Sequence, residues 1–131
     1  CHLTEKFESP KHHFHKANST GASCVACHMP TRNYMVVHAR RDHSLRIPRP
    51  DLSLTLGTPN ACTQCHRDKS NQWAADAAKK WWGDKVRQET HYGEIAHAGR
   101  QELEGAQAAL AAFVAERARP GGGRSWPRPP T

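Results

Sequence analysis

No stretch of this sequence comes near the ~20 consecutive apolar residues of a membrane-crossing helix. The longest apolar run, AALAAFVA at 108–115, is built mostly of alanine, so the chain is expected to carry no transmembrane segment. Apolar residues are scarce overall, 37% of 131, and the mean hydropathy is −0.83. A single small domain with so little to bury commonly depends on a metal, a disulfide or a cofactor for its interior. Acidic residues are in the minority, 12 against 19 lysines and arginines, for a formal charge of +7. A basic surface draws acidic partners. The arginines, however, cluster at Arg40, Arg41, Arg46 and Arg49 without the interleaved aromatics of a single-strand binder, and nucleic acid is set aside on that ground. Methionine is nearly absent, at Met29 and Met35 only.

What the chain does have is ten histidines, four tryptophans and five cysteines. Four of the cysteines form two identical frames, CVACH from Cys24 to His28 and CTQCH from Cys62 to His66. The pattern C-x-x-C-H is that of covalent c-type haem attachment. Two thiols three apart on a helical turn point the same way and can form thioethers with one porphyrin. The next residue, His28 or His66, then lies under the iron as its proximal ligand. The fifth cysteine opens the chain as Cys1-His2, which reads as the back half of a third such motif. On that reading the sequence belongs to a longer polypeptide, with further haem-bearing segments upstream. The alternative chemistry is a structural zinc site. Zinc-ribbon pairs are usually separated by roughly 15–20 residues, whereas residues 28–61, 34 in all, lie between Cys27 and Cys62. Zinc would also not require a histidine after each pair.

A six-coordinate haem iron needs a second axial ligand. Met29 directly follows His28 and cannot readily reach the opposite face of the same haem, so the surplus of histidine favours bis-histidine ligation. Candidates for the second ligand are His43 and His15, then His12, with His13 the alternative to His12 in the segment HHFH. His38, His91 and His97 read equally well as surface imidazoles. Arg41, Arg46 and Arg49 surround His43 and could hold haem propionates through guanidinium–carboxylate pairing; a solvated basic loop is the competing reading.

The expected fold is mainly α with extensive irregular loops, organised by haem, with little or no β-sheet beyond a short hairpin near 34–41. Thr58 and Pro59 are placed to start a short helix, Ser23 to cap the turn at Cys24, and IPRPDLSLTLGTPN is expected to be loop. Trp73, Ala77 and Trp81, with Ala74 and Ala78 beside them, form a helical stripe capped by Ser70 and ended by Gly83. Gly99 and Gly105 divide the next region into helices of about 92–99 and 102–118. The segment RPGGGRSWPRPPT reads as a disordered tail. The organisation is therefore 1–83 as a multihaem region, 84–118 as a helical segment and 119–131 as the tail.

Residues 10–83 resemble the multihaem c-type cytochromes, through CHMP, the run RRDHSLRIPRPDLS and GTPNACTQCH. The likeness is to the branch related to tetrahaem cytochromes of hydroxylamine oxidation and pentahaem nitrite reductases. The resemblance implies haem c on Cys24, Cys27, Cys62 and Cys65, ligation by His28 and His66, and distal ligation by His43 and His15. It also implies export to the periplasm, where haem attachment takes place. The lysine-ligated catalytic haem of the nitrite reductases has no counterpart, because no C-x-x-C-K occurs here. The expected role is electron transfer to and from redox partner proteins. The alternatives are the haem-bearing part of a nitrogen-oxide or hydroxylamine oxidoreductase, and the zinc module above.

Overall fold

The computed structural model describes residues 4–84 and 90–117. Cys1, His2 and the Pro/Gly-rich tail lie outside the described residues. The chain divides into two compact units, at residues 86 and 87, and the fold is mainly helical with irregular loops.

The first unit begins with two single-turn helices, α1 (Thr4–Phe7) and α2 (Pro10–His13). Ser9 caps α2, its Oγ accepting from Lys11 N, and Pro10 stands at the first helical position, where a missing N–H costs nothing. Phe14 ends α2 in left-handed backbone, φ 54 and ψ 27. A 3-10 turn, Thr20–Ala22, packs against α2 and against α3 (Cys24–His28). Ser23 occupies the N-cap of α3, as expected, but its side chain makes no capping bond. A hairpin follows, β1 (Thr31–Tyr34) with β2 (His38–Arg41), antiparallel, Thr31 opposite Arg41 and Tyr34 opposite His38. Its turn, Met35 to Val37, is exposed, with Met35 at φ 48 and Val36 at φ 70.

Two elements differ from the sequence expectations. The segment read as loop contains a helix, α4 (Asp51–Leu56). Pro50 holds φ −66 at its start, Asp51 lies in its first turn, and Gly57 closes it in left-handed backbone at φ 67. That is the Pro-first, Gly-last arrangement of a short helix, obscured in the sequence by Pro48. The helix α5 (Ala61–Cys65) starts later than expected: its cap is Asn60, whose side chain accepts from Thr63 N, rather than Thr58. An extended Asn60 with a free amide oxygen outcompetes the hydroxyl two residues upstream.

The longest helix of this unit, α6 (Asn71–Trp82), forms where the stripe predicts it. Ser70 Oγ accepts from Trp73 N, and Gly83 ends the helix at φ 66. Ala74 and Ala75 are its fully buried positions, and α6 packs against α4, where Leu52 is buried. The tryptophans lie to the side of that contact, half-buried. The second unit holds α7 (Tyr92–Arg100) and α8 (Ala106–Arg117), packed on one another. His91 caps α7 in a reciprocal box: its Nδ1 accepts from Gly93 N and its own N–H donates to Glu94.

Candidate functional site

The two Cys-x-x-Cys-His frames fold as two short helices, α3 and α5, that pack on one another. All four cysteines are free thiols, Cys24, Cys27 and Cys62 half-buried and Cys65 exposed. Burial pushes the Cys27 thiol above its ordinary 9.0, and the nearby Cys62, Cys65 and Cys24 push it the same way. Cys62 is raised too, chiefly by burial and then by Cys65. The two motifs therefore feel each other electrostatically.

Each motif histidine faces a second imidazole from the segment HHFH. His12 and His28 lie with ring centroids 6.1 Å apart and planes within 6° of parallel. His15 and His66 lie 6.1 Å apart with planes tilted by 32°. Two imidazoles sharing one first-row metal ion, each bonded at about 2 Å, have centroids roughly 6 Å apart. Left-handed Phe14 makes this division possible, turning the chain between His12 and His15 so that they face different motif histidines.

The hydrogen bonds on the other ring nitrogens suit the same task. His28 Nδ1–H can donate to Arg46 O at 2.9 Å, and His15 Nδ1–H to His13 O. Fixing the proton on Nδ1 leaves Nε2 with a lone pair for a metal. His13 is arranged in the opposite sense: its Nδ1 accepts from His15 N at 3.2 Å, which puts the ring proton on Nε2. Burial, and then the neighbouring His28 and His13, hold His12 below the ordinary imidazole value of 6.5, keeping it neutral and able to ligate near pH 7.

Aromatic rings wall the pairs. Trp73 lies 5.0 Å from His66, and Trp81 meets His15 edge-on at 6.3 Å. Phe14 stacks on Trp81 at 4.8 Å, Phe7 meets His12 edge-on at 5.2 Å, and Trp82 Nε1–H donates to His12 O at 3.1 Å. These contacts tie the HHFH segment to α6.

The other candidates are placed as follows. His43 is exposed on the loop after β2, its Nδ1 bonded to Arg41 O at 2.9 Å, and it belongs to neither pair. His38 lies in β2, exposed. His91 and His97 belong to the second unit. Arg41 donates to Val25 O and Met29 O at the end of α3, both at 3.3 Å. Arg46 approaches Asp42 at 3.9 Å, and Arg49 makes a fork to Asp51, with Nε–Oδ1 at 2.9 Å and Nη2–Oδ2 at 2.7 Å. The arginines thus have structural work within the chain. Sequence reasoning missed the tryptophan–histidine contacts. The stripe at 73, 77 and 81 signalled a packed face but not that imidazoles would meet it.

These residues fit haem c. A haem iron takes four donors from its porphyrin, so two protein donors suffice, and the histidines come in opposed pairs, each beside a pair of free thiols. Among the described residues, no three His, Cys, Asp or Glu side chains converge to hold a metal ion between them; a structural zinc site needs four protein donors at one point.

A mainly helical chain with two such thiol-and-imidazole frames is a c-type cytochrome. More narrowly, a family model described as cytochrome c552 matches residues 5–116, and the chain belongs to that family. No curated protein and no solved structure matches the chain significantly. Among the described residues, no helix is long and apolar enough to cross a membrane.

Proposed function

We propose that the protein carries electrons through two closely spaced, bis-histidine-ligated c-type haems. Cys24 and Cys27 bind one haem and Cys62 and Cys65 the other. His28 and His66 are the proximal ligands, and His12 and His15 respectively the second ligands. The observation that carries this reading is the equal 6.1 Å separation of the two imidazole pairs. His12 and His15 are preferred over His43 because each already faces a motif histidine.

Bound haem supplies reversible one-electron chemistry at iron. The chain's own residues do the rest. The paired imidazoles favour a low potential relative to methionine ligation. Trp73 and Trp81 pack beside the pair at His66, with Phe14 stacked on Trp81, and the packing of α3 on α5 keeps the two attachment sites adjacent. The basic surface suits a redox partner with an acidic docking face. Covalent attachment implies export to the compartment where c-type maturation occurs. The multihaem region is taken to run through residue 83.

The test is a denaturing mass measurement and a visible spectrum of the matured protein. Two haem masses from the complete motifs, a low-spin spectrum, and no spectral response to nitrite or hydroxylamine are expected. A high-spin component that responds to either ligand would overturn the carrier reading in favour of an oxidoreductase. Material without tetrapyrrole mass would end the haem reading altogether.

A further inference from the structure

We propose that Gly21 is the residue that positions His15, by leaving out the one methyl group that would displace its imidazole. The inference rests on the assignment of His15 as an iron ligand.

A Cβ at residue 21 would fall 2.6 Å from His15 Cγ and 2.8 Å from His15 Nε2, with Cδ2 nearer still. Carbon contacts under 3 Å do not occur without something moving, and the ring has little freedom to give. Its Nδ1 is bonded to His13 O, Trp81 meets it edge-on at 6.3 Å, and His66 lies across the pair at 6.1 Å. The backbone of residue 21 cannot easily withdraw either, because the 3-10 turn that carries it packs against both α2 and α3.

The requirement for glycine is steric and not conformational. Gly57, Gly83 and Gly105 are the described glycines with positive φ, and Gly21 is not among them. Alanine would therefore suit the backbone of this turn and fail only against the imidazole. Gly21, the His13 carbonyl and Trp81 all border His15, and His66 lies 6.1 Å from it. The ligand is oriented by the fold before it meets iron, which is how a ligating imidazole is preorganised.

The experiment uses the matured, haem-loaded protein with Gly21→Ala, Thr20→Ala, His15→Ala and the double variant H15A/G21A. G21A is expected to turn one of the two haems high-spin, with added imidazole restoring the low-spin spectrum by filling the lost position. T20A, an exposed neighbour, should keep the wild-type spectrum. Urea midpoints add a readout that survives partial misfolding: G21A should lower the midpoint in the His15 background and leave it unmoved in the H15A background, where no ring remains to clash. A wild-type spectrum in G21A, or an equal loss of stability in both backgrounds, would overturn the role of Gly21. A fully low-spin H15A would instead overturn the ligation assignment, while the midpoint comparison would still report whether Gly21 and His15 are in contact.

Discussion

Replacing Asn60 by alanine should cost more than any other single polar deletion among the described residues around the second attachment turn. Asn60 is 5% exposed and uses both ends of its amide. Its Oδ1 caps α5 by accepting from Thr63 N at 3.0 Å, and its Nδ2 donates to Ser53 Oγ and to Asn71 Oδ1, each at 3.0 Å. Loss of an N-cap costs about 1 kcal/mol. Ser53 is itself buried, at 5% exposure, and stranding its hydroxyl without a donor costs about 1 kcal/mol more. Asn71 is exposed and can turn to water, so it adds nothing. The sum, about 2 kcal/mol, is roughly a 30-fold change in the folding equilibrium. With an m-value on the order of 2 kcal/mol per M, N60A should lower the urea midpoint by roughly 1 M. Asn60→Ser keeps a capping oxygen but reaches neither Ser53 nor Asn71, and should lose about half as much. Equal midpoints for N60A and the wild type would show that α5 is not held to α4 and α6 through this side chain.

Two further outcomes are expected. His12 is held below 6.5 by burial and by His28 and His13, so the unfolded chain takes up a proton there before the folded chain does. Stability should therefore be full above 6.5 and fall as the pH drops from 6.5 through the folded value; urea midpoints across that range should show a steeper decline for the wild type than for His12→Ala, and equal slopes would refute the assignment. Arg49 and Asp51 should show a coupling of about 1–2 kcal/mol in a cycle of R49A, D51N and the double variant, since the fork is largely shielded, with side chains 13% and 19% exposed; a coupling near zero would place the pair with ordinary surface contacts.

The two Cys-x-x-Cys-His frames are legible as short helices because their spacing places two thiols on one helical turn, and α3 and α5 are those turns. The stripe from Trp73 to Trp81 was legible for the same kind of reason, a period of 3.6 between a serine cap and a terminal glycine. Which of His12, His13 and His43 would face a motif histidine is not legible in the same way. It depends on left-handed backbone at Phe14, a conformation that a bulky aromatic residue gives no sign of adopting, and on which nitrogen of His13 and His15 is bonded to its neighbour. The hairpin begins at Thr31, a few residues before the sequence places it, because its turn runs through Met35 and Val36 at positive φ, where turn-forming glycine or asparagine would ordinarily announce it. The helix α4 is hidden in the sequence because Pro48 and Pro50 read together as an extended segment, although Pro50 and Gly57 bracket the helix in the orientation that favours one.

The scarcity of apolar residues has a structural counterpart that bears on how the two proposed haems would behave. The fully buried apolar side chains in the described part of the first unit, Leu52, Ala74 and Ala75 with Pro50, lie at the contact of α4 and α6. The histidine pairs lie outside that small core, held by Trp73, Trp81, Phe14 and backbone carbonyls. On the proposed ligation, two porphyrins would supply the missing apolar surface, and both would be clamped by one short segment, because His12 and His15 stand three residues apart. Moving either iron relative to the other would require breaking the α2 turn, the Phe14–Trp81 stack or the Trp82 bond to His12 O. On that ligation the two haems would be held near one another three times over: by the packing of α3 on α5, by the shared segment carrying His12 and His15, and by the α6 face against which that segment is stacked.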